Sequence, residues 1–165
     1  MKNDPSYLVS VIIPVYNGAA FINDAIQSVK AQSYSNWECI IINDGSTDNT
    51  EDILSGLIAG DERFIYRKQE NKGLPGARNA ALDLSKGDFI QLLDADDALH
   101  PQKLEKHLGL IDKHGLGKKD SIVSYSGYYY CTPDDIYKVY SEPLNRVLRR
   151  RYLRTGSTQT TRRGV

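Results

Sequence analysis

VSVIIPVYNG, residues 9–18, is an almost unbroken apolar run rich in β-branched residues that ends abruptly at a tyrosine, an asparagine and a glycine. A strand with one wet face alternates apolar and polar positions, whereas a strand covered on both faces stays apolar throughout. Leu8 to Pro14 is therefore read as a strand with helices above and below its sheet. The rest of the reading follows from what flanks this strand.

Downstream, Ile22, Ala25, Ile26 and Val29 recur at helical spacing. Trp37 to Ile42 reads as a second buried strand, closed by the turn-rich NDGSTDNT at 43–50. A helix is predicted from about Glu51 to Ile58, with Asp48 or Thr50 as its cap. Phe64 to Arg67 gives a short third strand. Gly76 to Ser85 reads as a helix with Ala77, Ala80, Ala81 and Leu84 on one face, small enough to lie close against a sheet. Asp88 to Leu93 is a fourth strand that ends in Asp94-Ala95-Asp96-Asp97, and a helix with proline in its first turn spans Pro101 to Asp112. Ser121 to Cys131 reads as a fifth strand. Such alternation predicts an α/β fold with a mainly parallel sheet flanked by helices, its crossovers right-handed. Ligands of such sheets bind at the carboxyl ends of the strands. Tyr16 and Asn17, Asp44, and Asp94 to Asp97 all fall at those ends.

Composition is compatible with this reading. The 165 residues suffice for one domain with a real core, and not comfortably for two. Formal net charge is zero, so nothing global points to nucleic acid or an acidic partner. Charge is nevertheless uneven: no acid follows Glu142, while Arg146, Arg149, Arg150, Arg151, Arg154, Arg162 and Arg163 do. Cys39 lies inside an apolar run and reads as a buried free thiol; its distance from Cys131 shows no paired spacing. Without a charged-then-apolar leader, and with Leu8 to Val15 too short to span a bilayer, the chain is expected to be cytoplasmic. His100, His107 and His114, seven residues apart, stand about 10 Å from one another along a helix. They are read as solvated, too far apart to share a metal.

The chemistry rests on a few side chains. Three carboxylates within residues 94–97 repel one another by roughly 4 kcal/mol per pair at about 4 Å and an effective dielectric near 20. A strand-end loop tolerates that if water screens the charges or if a divalent cation sits among them; oxygen-only ligands suit Mg²⁺ or Mn²⁺. The same tetrad is also what a solvated acidic turn before a helix looks like. Asp44 could accept a hydrogen bond from a base or ribose, and Asn-Asp-Gly-Ser is equally a good tight-turn sequence. Arg78, near a helix start, could reach a diphosphate where exposed amides and the dipole favour anions; lone arginines there also simply face solvent. Gly73 and Gly76 would allow close backbone approach to a ligand, or serve an ordinary loop.

Together and in this order, VSVIIPVYNG at 9–18, IINDGSTDNT at 41–50, NKGLPGARNAAL at 71–82 and GDFIQLLDADD at 87–97 resemble the family 2 glycosyltransferases of the GT-A, Rossmann-like fold. The resemblance covers roughly the first 130 residues and is specific for the family while nearly silent on the sugar. It implies that Pro14, Val15 and Tyr16 line the nucleobase pocket, with the Tyr16 ring on the base, and that Asp44 hydrogen-bonds the base, most often uracil. Arg78 would lie near the nucleotide, and Asp94 with Ala95 beside it, Asp94 facing the ribose or a metal-bound water. Asp96 would bind Mg²⁺ or Mn²⁺, and Asp97 would hold the loop. The implied reaction is inverting transfer from a UDP-sugar to the hydroxyl of a carbohydrate or lipid-linked acceptor, in polysaccharide or glycolipid assembly. The cation offsets charge on the leaving diphosphate, and a separate carboxylate takes the acceptor's proton.

That carboxylate has no evident counterpart here, because Asp134, Asp135 and Glu142 are the only late acids and none occupies the family's position. Residues 1–131 are accordingly expected to be the nucleotide-sugar-binding core, and 132–165 a partial acceptor-side segment of a truncated chain. Such a chain would bind its donor weakly and transfer poorly, or act only as a nucleotide-binding or scaffolding module. A sugar-nucleotide pyrophosphorylase would want a basic, glycine-rich loop after the first strand, which VYNGAAF lacks. A phosphate-accepting regulatory domain would want a lysine after the fifth. Leu144, Val147, Leu148 and Tyr152 can form one helical stripe ringed by arginines, suited either to packing or to peripheral contact with an anionic membrane. No motif accompanies the arginines that would support nucleic-acid binding.

Overall fold

The computed structural model describes residues 7–117 together with the segments 122–125, 129–131, 136–138 and 146–149. The chain divides into two compact units, Met1–Gly109 and Leu110–Val165. The first contains β1 (Val9–Val15), α1 (Ile22–Lys30), β2 (Trp37–Asn43), α2 (Thr50–Ile58), β3 (Phe64–Lys68), α3 (Gly73–Leu84) and β4 (Phe89–Leu92). Helix α4 (Lys103–Lys113) begins in the first unit and ends in the second. Among the described residues no helix is long and apolar enough to cross a membrane.

Four parallel strands lie in the order β3-β2-β1-β4. Every residue of β1 and β2 is buried, as expected of strands covered on both faces. On α1, Ile22, Ala25, Ile26 and Val29 are all fully buried. On α3, Ala77 and Ala81 pack against Ile12, Ile40 and Ile42, with Ala80 and Leu84 beside them. Each buried isoleucine contributes roughly 1.5–3 kcal/mol, and the alanines hold α3 close to the sheet. The chain moves outward from β1 to β3 on one side and then returns to place β4 on the other. The sheet's switch point therefore falls between β1 and β4, where open α/β sheets form their crevice.

The amino ends of the strands are tied by a buried polar knot. Ser10 Oγ donates to Glu38 Oε1 at 2.6 Å, and the Lys86 amide donates to the same oxygen at 2.6 Å. The Gly87 amide donates to Ser10 Oγ at 2.8 Å. A Cβ on Gly87 would stand 2.5 Å from both the nitrogen and the hydroxyl of Ser10, so only glycine fits where the chain enters β4.

Helix α4 buries Leu104, Leu108 and Ile111. Gln32 fixes its start, accepting from the Leu104 amide at 3.1 Å and donating to the His100 carbonyl at 2.9 Å. His100 and His114 are exposed, as expected, but His107 is half-buried beside that apolar stripe. Lost hydration, followed by the charge of Lys103, pushes its pKa from 6.5 down to about 4. The solvated reading of His107 is thus corrected: a residue three positions after Leu104 shares its helix face. Cys39 is a buried free thiol, its pKa raised first by burial and then by the charge of Asp61.

In the second unit, β5 (Ile122–Tyr125) pairs antiparallel with β8 (Arg146–Arg149), and β6 (Tyr129–Cys131) with β7 (Ile136–Lys138). The single strand expected from Ser121 to Cys131 is therefore two strands of different sheets, separated in sequence by a segment containing Gly127, a residue that weakens strand interiors. Val147 and Leu148 lie in a strand, not a helix. The helical stripe is corrected accordingly. Leu144, Tyr152, Asp134, Asp135, Glu142 and the basic tail after Arg149 lie outside the described residues.

Two outcomes test these packings. Gly87→Ala should lower stability by about 1–3 kcal/mol through overpacking, measured as a shift in urea midpoint. Because unfolded His107 takes its proton near 6.5 and the folded residue only near 4, the unfolded state binds more protons between those values. Stability should therefore fall as pH drops through that window, and His107→Gln should flatten the dependence in denaturation curves at several pH values.

Candidate functional site

Three loops meet at the carboxyl ends of β1, β2 and β4. Val15, the last residue of β1, pairs with Asn43, the last of β2. The Val15 carbonyl then accepts from the Asp44 amide at 2.8 Å, and the Ile12 carbonyl accepts from the Leu93 amide at 3.0 Å. One strand thus sets the height of Asp44 on one side and of Asp94 on the other. Pro14 and Val15 are buried, while the Tyr16 ring just beyond them is about half exposed at 53%.

Asn17 takes a left-handed backbone, φ 51°, the one non-glycine to do so among the described residues. Such a conformation costs about 1–3 kcal/mol unless its surroundings hold it. Its own amide donates to Ser46 Oγ at 2.9 Å, and its Oδ1 accepts from the Thr47 amide at 2.8 Å. The Gly18 amide donates to Thr50 Oγ1 at 3.0 Å and the Ala19 amide to Asp48 Oδ2 at 3.1 Å. Asp48 also accepts the Thr50 amide at 3.1 Å. It thus serves the start of α2 from one residue outside the helix-flanking Asn49, which makes no side-chain cap. A Cβ on Gly18 would stand 2.6 Å from Val15 Cγ2 and 3.7 Å from the Ala95 methyl. Gly18 therefore lies between Val15 and Ala95, bringing the loops after β1 and β4 together.

Asp44 is buried, at 3% exposure, and its Oδ1 accepts from Gln69 Nε2 at 2.6 Å and from the Lys72 amide at 2.9 Å. Asn43, fully buried, donates to the Tyr66 hydroxyl at 3.0 Å and accepts from the Ser46 amide at 2.9 Å. Gly45 turns the chain at φ 80°, with Asn71 against it. The approach to α3 is thus pinned to Asp44. One turn and a half into that helix, Arg78 Nη2 reaches Asp94 Oδ1 at 2.7 Å. Arg78 Nε is buried and has no acceptor among the described residues, a donor whose isolation costs about 1–3 kcal/mol.

Asp94 begins a turn closed by the Asp97 amide on the Asp94 carbonyl, 3.1 Å. Asp96 and Asp97 are exposed. The Asp97 carboxyl is nevertheless raised above the usual range, first by partial loss of hydration and then by the charges of Asp96 and Asp94. Among the described residues no three His, Cys, Asp or Glu side chains form a ready-made cation cage. An exposed Asp96 beside a charge-strained Asp97 fits a hard divalent ion that takes one or two carboxylates and completes its shell from phosphate and water.

The residues singled out in sequence therefore group as follows. Arg78 and Asp94 touch, Val15 and Ala95 both lie against Gly18, and Asp44 is joined to Val15 and, through Lys72, to the start of α3. Gln69 and Lys72 were not foreseen, and Thr50 was foreseen only as a cap of α2, not as the acceptor of the Gly18 amide. Their roles come from bonds between loops some 25–32 positions apart in sequence, for which no local pattern exists.

A four-stranded parallel sheet flanked by helices, with acids gathered at its switch point, is an arrangement this chain shares with GT-A glycosyltransferases. Residues 10–162 match the family described as Glycosyl transferase family 2, and the chain belongs to that family. An uncharacterized glycosyltransferase of Rickettsia typhi is 41% identical over 146 residues, covering 82% of this chain and 44% of the relative. TuaG of Bacillus subtilis, named for teichuronic acid biosynthesis, is 40% identical over 128 residues, 77% of this chain and 49% of TuaG. The chain spans less than half the length of these relatives. Among solved structures, S. aureus TarS 1–349 in complex with UDP-GlcNAc superposes with a TM-score of 0.62 at 27% identity, covering 69% of this chain and 32% of that one. A mannosyltransferase of Pyrobaculum calidifontis shares the fold, with a TM-score of 0.60 at 24% identity over 67% of this chain and 34% of its own.

Asp44→Ala should leave Gln69 and the Lys72 amide without their acceptor and cost about 1–3 kcal/mol of stability. Asp44→Asn, which keeps an acceptor oxygen, should cost less; urea denaturation of both variants distinguishes them.

Proposed function

We propose that this chain binds a UDP-sugar together with Mg²⁺ or Mn²⁺ and presents it for inverting transfer to an acceptor hydroxyl in polysaccharide or glycolipid assembly. The observation that carries the reading is Arg78. Its guanidinium is held by Asp94 yet the side chain stays about a third exposed, at 32%, so its positive charge is within reach of an anionic oxygen of the nucleotide. Family membership supports the transfer, and TarS structures in complex with UDP and with UDP-GlcNAc support a uridine donor.

In this reading Pro14, Val15 and Tyr16 form the base pocket, with the exposed Tyr16 ring against the flat face of the base. Asp44 accepts a hydrogen bond from the base edge, using the carboxylate oxygen that Gln69 and Lys72 leave to it. Asp94 and Ala95 bound the ribose, Asp94 held in orientation by Arg78 or turned to a metal-bound water. Asp96 is the direct ligand of the cation, and the chemistry such an ion supplies when bound is offset of the charge on the departing diphosphate. The arginine-rich sequence from Arg146 to Arg163 suits an anionic, lipid-linked acceptor or the cytoplasmic face of a membrane.

Calorimetric titration of the full chain with UDP, with Mn²⁺ and after chelation, tests the assignment. Removing the cation should weaken binding at least about tenfold, ~1.4 kcal/mol, and Asp96→Asn should abolish that difference. An Asp96→Asn chain that kept the whole cation dependence would remove Asp96 from the site. Turnover of UDP-sugar with and without added acceptors then separates transfer from binding alone.

A further inference from the structure

The loop that carries Tyr16 is held in a way the binding chemistry itself does not require. Three successive amides, those of Asn17, Gly18 and Ala19, donate in turn to Ser46, Thr50 and Asp48 side chains. In the opposite direction Asn17 Oδ1 accepts from the Thr47 amide at 2.8 Å, with the Asp48 amide at 3.4 Å. The Thr50 hydroxyl, fully buried, donates to Asp48 Oδ1 at 2.5 Å. The hydroxyl of Thr50, followed by the Ala19 and Thr50 amides, holds the exposed Asp48 carboxyl below its ordinary range, so Asp48 is charged where it clasps. Asn17 pays for this arrangement with a left-handed backbone.

We infer that Asn17 and Asp48 are positioning residues: they lock the loop after β1 onto the loop after β2, so that the Tyr16 ring stands as a fixed shelf for a planar nucleobase. This rests on the proposed base pocket and deepens it. The geometry requires it in the following sense. Tyr16 is the last residue before the left-handed turn and is half exposed. No side-chain bond of its own holds it among the described residues. Its direction is set by the backbone at Asn17, and that backbone is set by the clasp. The same clasp reaches Asp44 through Ser46, whose amide is held by Asn43. Shelf and base acceptor therefore keep a constant separation. A preformed shelf strengthens nucleotide binding without entering the chemical step, so clasp variants should raise KM for the donor while kcat stays near its original value.

Asn17→Gly is the informative variant. Glycine adopts the positive φ freely, so the loop closes without strain but loses the Oδ1 bonds that fix it. Binding of UDP and of inorganic pyrophosphate, each with Mn²⁺, is measured by calorimetry for the original chain, Asn17→Gly, Asp48→Ala, Tyr16→Ala and the Asn17→Gly/Tyr16→Ala pair. A base stacked on an aromatic ring is worth enough that UDP affinity should fall about tenfold in each clasp variant and in Tyr16→Ala, with pyrophosphate affinity unchanged. The double variant should be no worse than Tyr16→Ala alone, because both changes remove one contact. Asp48→Asn, which keeps an acceptor oxygen, should recover part of the loss. Clasp variants with full UDP affinity beside a weakened Tyr16→Ala overturn the clasp and leave the pocket standing. No loss in Tyr16→Ala either, or no UDP binding by the original chain, overturns both. Equal losses for UDP and pyrophosphate would mark a general structural defect and overturn the positioning role.

Discussion

Strand β1 is the element on which the site depends, since it has a parallel neighbour on each side. Its last carbonyl orders Asp44 beyond β2, and the carbonyl of Ile12 orders Leu93 just before Asp94. Backbone bonds of this kind leave little freedom, because a slip of one residue would turn every side chain to the opposite face. Here a slip would also bury what now stands at the rim. Because β1 is buried on both faces, packing is what resists that slip: Val11, Ile12 and Ile13 have no exposed surface at all, and forcing differently shaped side chains into either packed face costs about 1–3 kcal/mol. The position of the acids is in this sense a consequence of the hydrophobic core.

Helix α3 carries the second half of the constraint. Ala77 and Ala81 let it sit against Ile12, Ile40 and Ile42, and Arg78 adjoins Ala77 on the same turn. Because Ala77 is fixed against the sheet, Arg78 has only the length of its own side chain to span before it meets Asp94. At the other end, the Lys72 amide is fastened to Asp44. One helix therefore joins the loops after β2 and β4, and larger residues at 77 or 81 would lift both connections at once. Small residues on this face are a requirement of the site as much as of packing.

Much of this was legible from the residues in order. The largely apolar runs from Leu8 to Pro14 and from Trp37 to Ile42 announced buried strands, and the alanine face of α3 could be read from its spacing. Strand ends then predicted where Asp44 and Asp94 would stand. What could not be read has a common physical origin. Gln69 and Thr50 act through contacts across 25 and 32 positions, and the left-handed turn at Asn17 exists because another loop stabilises it. Periodicity is blind to both. His107 was different: Leu104, Leu108 and Ile111 mark a buried stripe, and a histidine three residues after Leu104 was placed beside it by the same rule that identified the stripe. In the second unit, Val147 and Leu148 fit a helical stripe equally well on paper, and pairing with Val123 and Ser124 decided for a strand.

The acids after β4 show how the fold manages a charge problem without abolishing it. Three carboxylates in four residues would repel strongly if left alone. Arg78 takes one of them, joining Asp94 in an ion pair that is partly exposed on both sides and therefore modest in strength. Asp97 answers differently: reduced hydration and its two neighbours raise its carboxyl, so that it surrenders charge more readily than an ordinary aspartate. Asp96 is left, exposed and with no partner charge among the described residues. A loop built only for stability would have replaced it, since a neutral residue there would relieve Asp97 as well. Within the loop that negative charge is a cost to the folded chain, since it adds to the repulsion that raises Asp97.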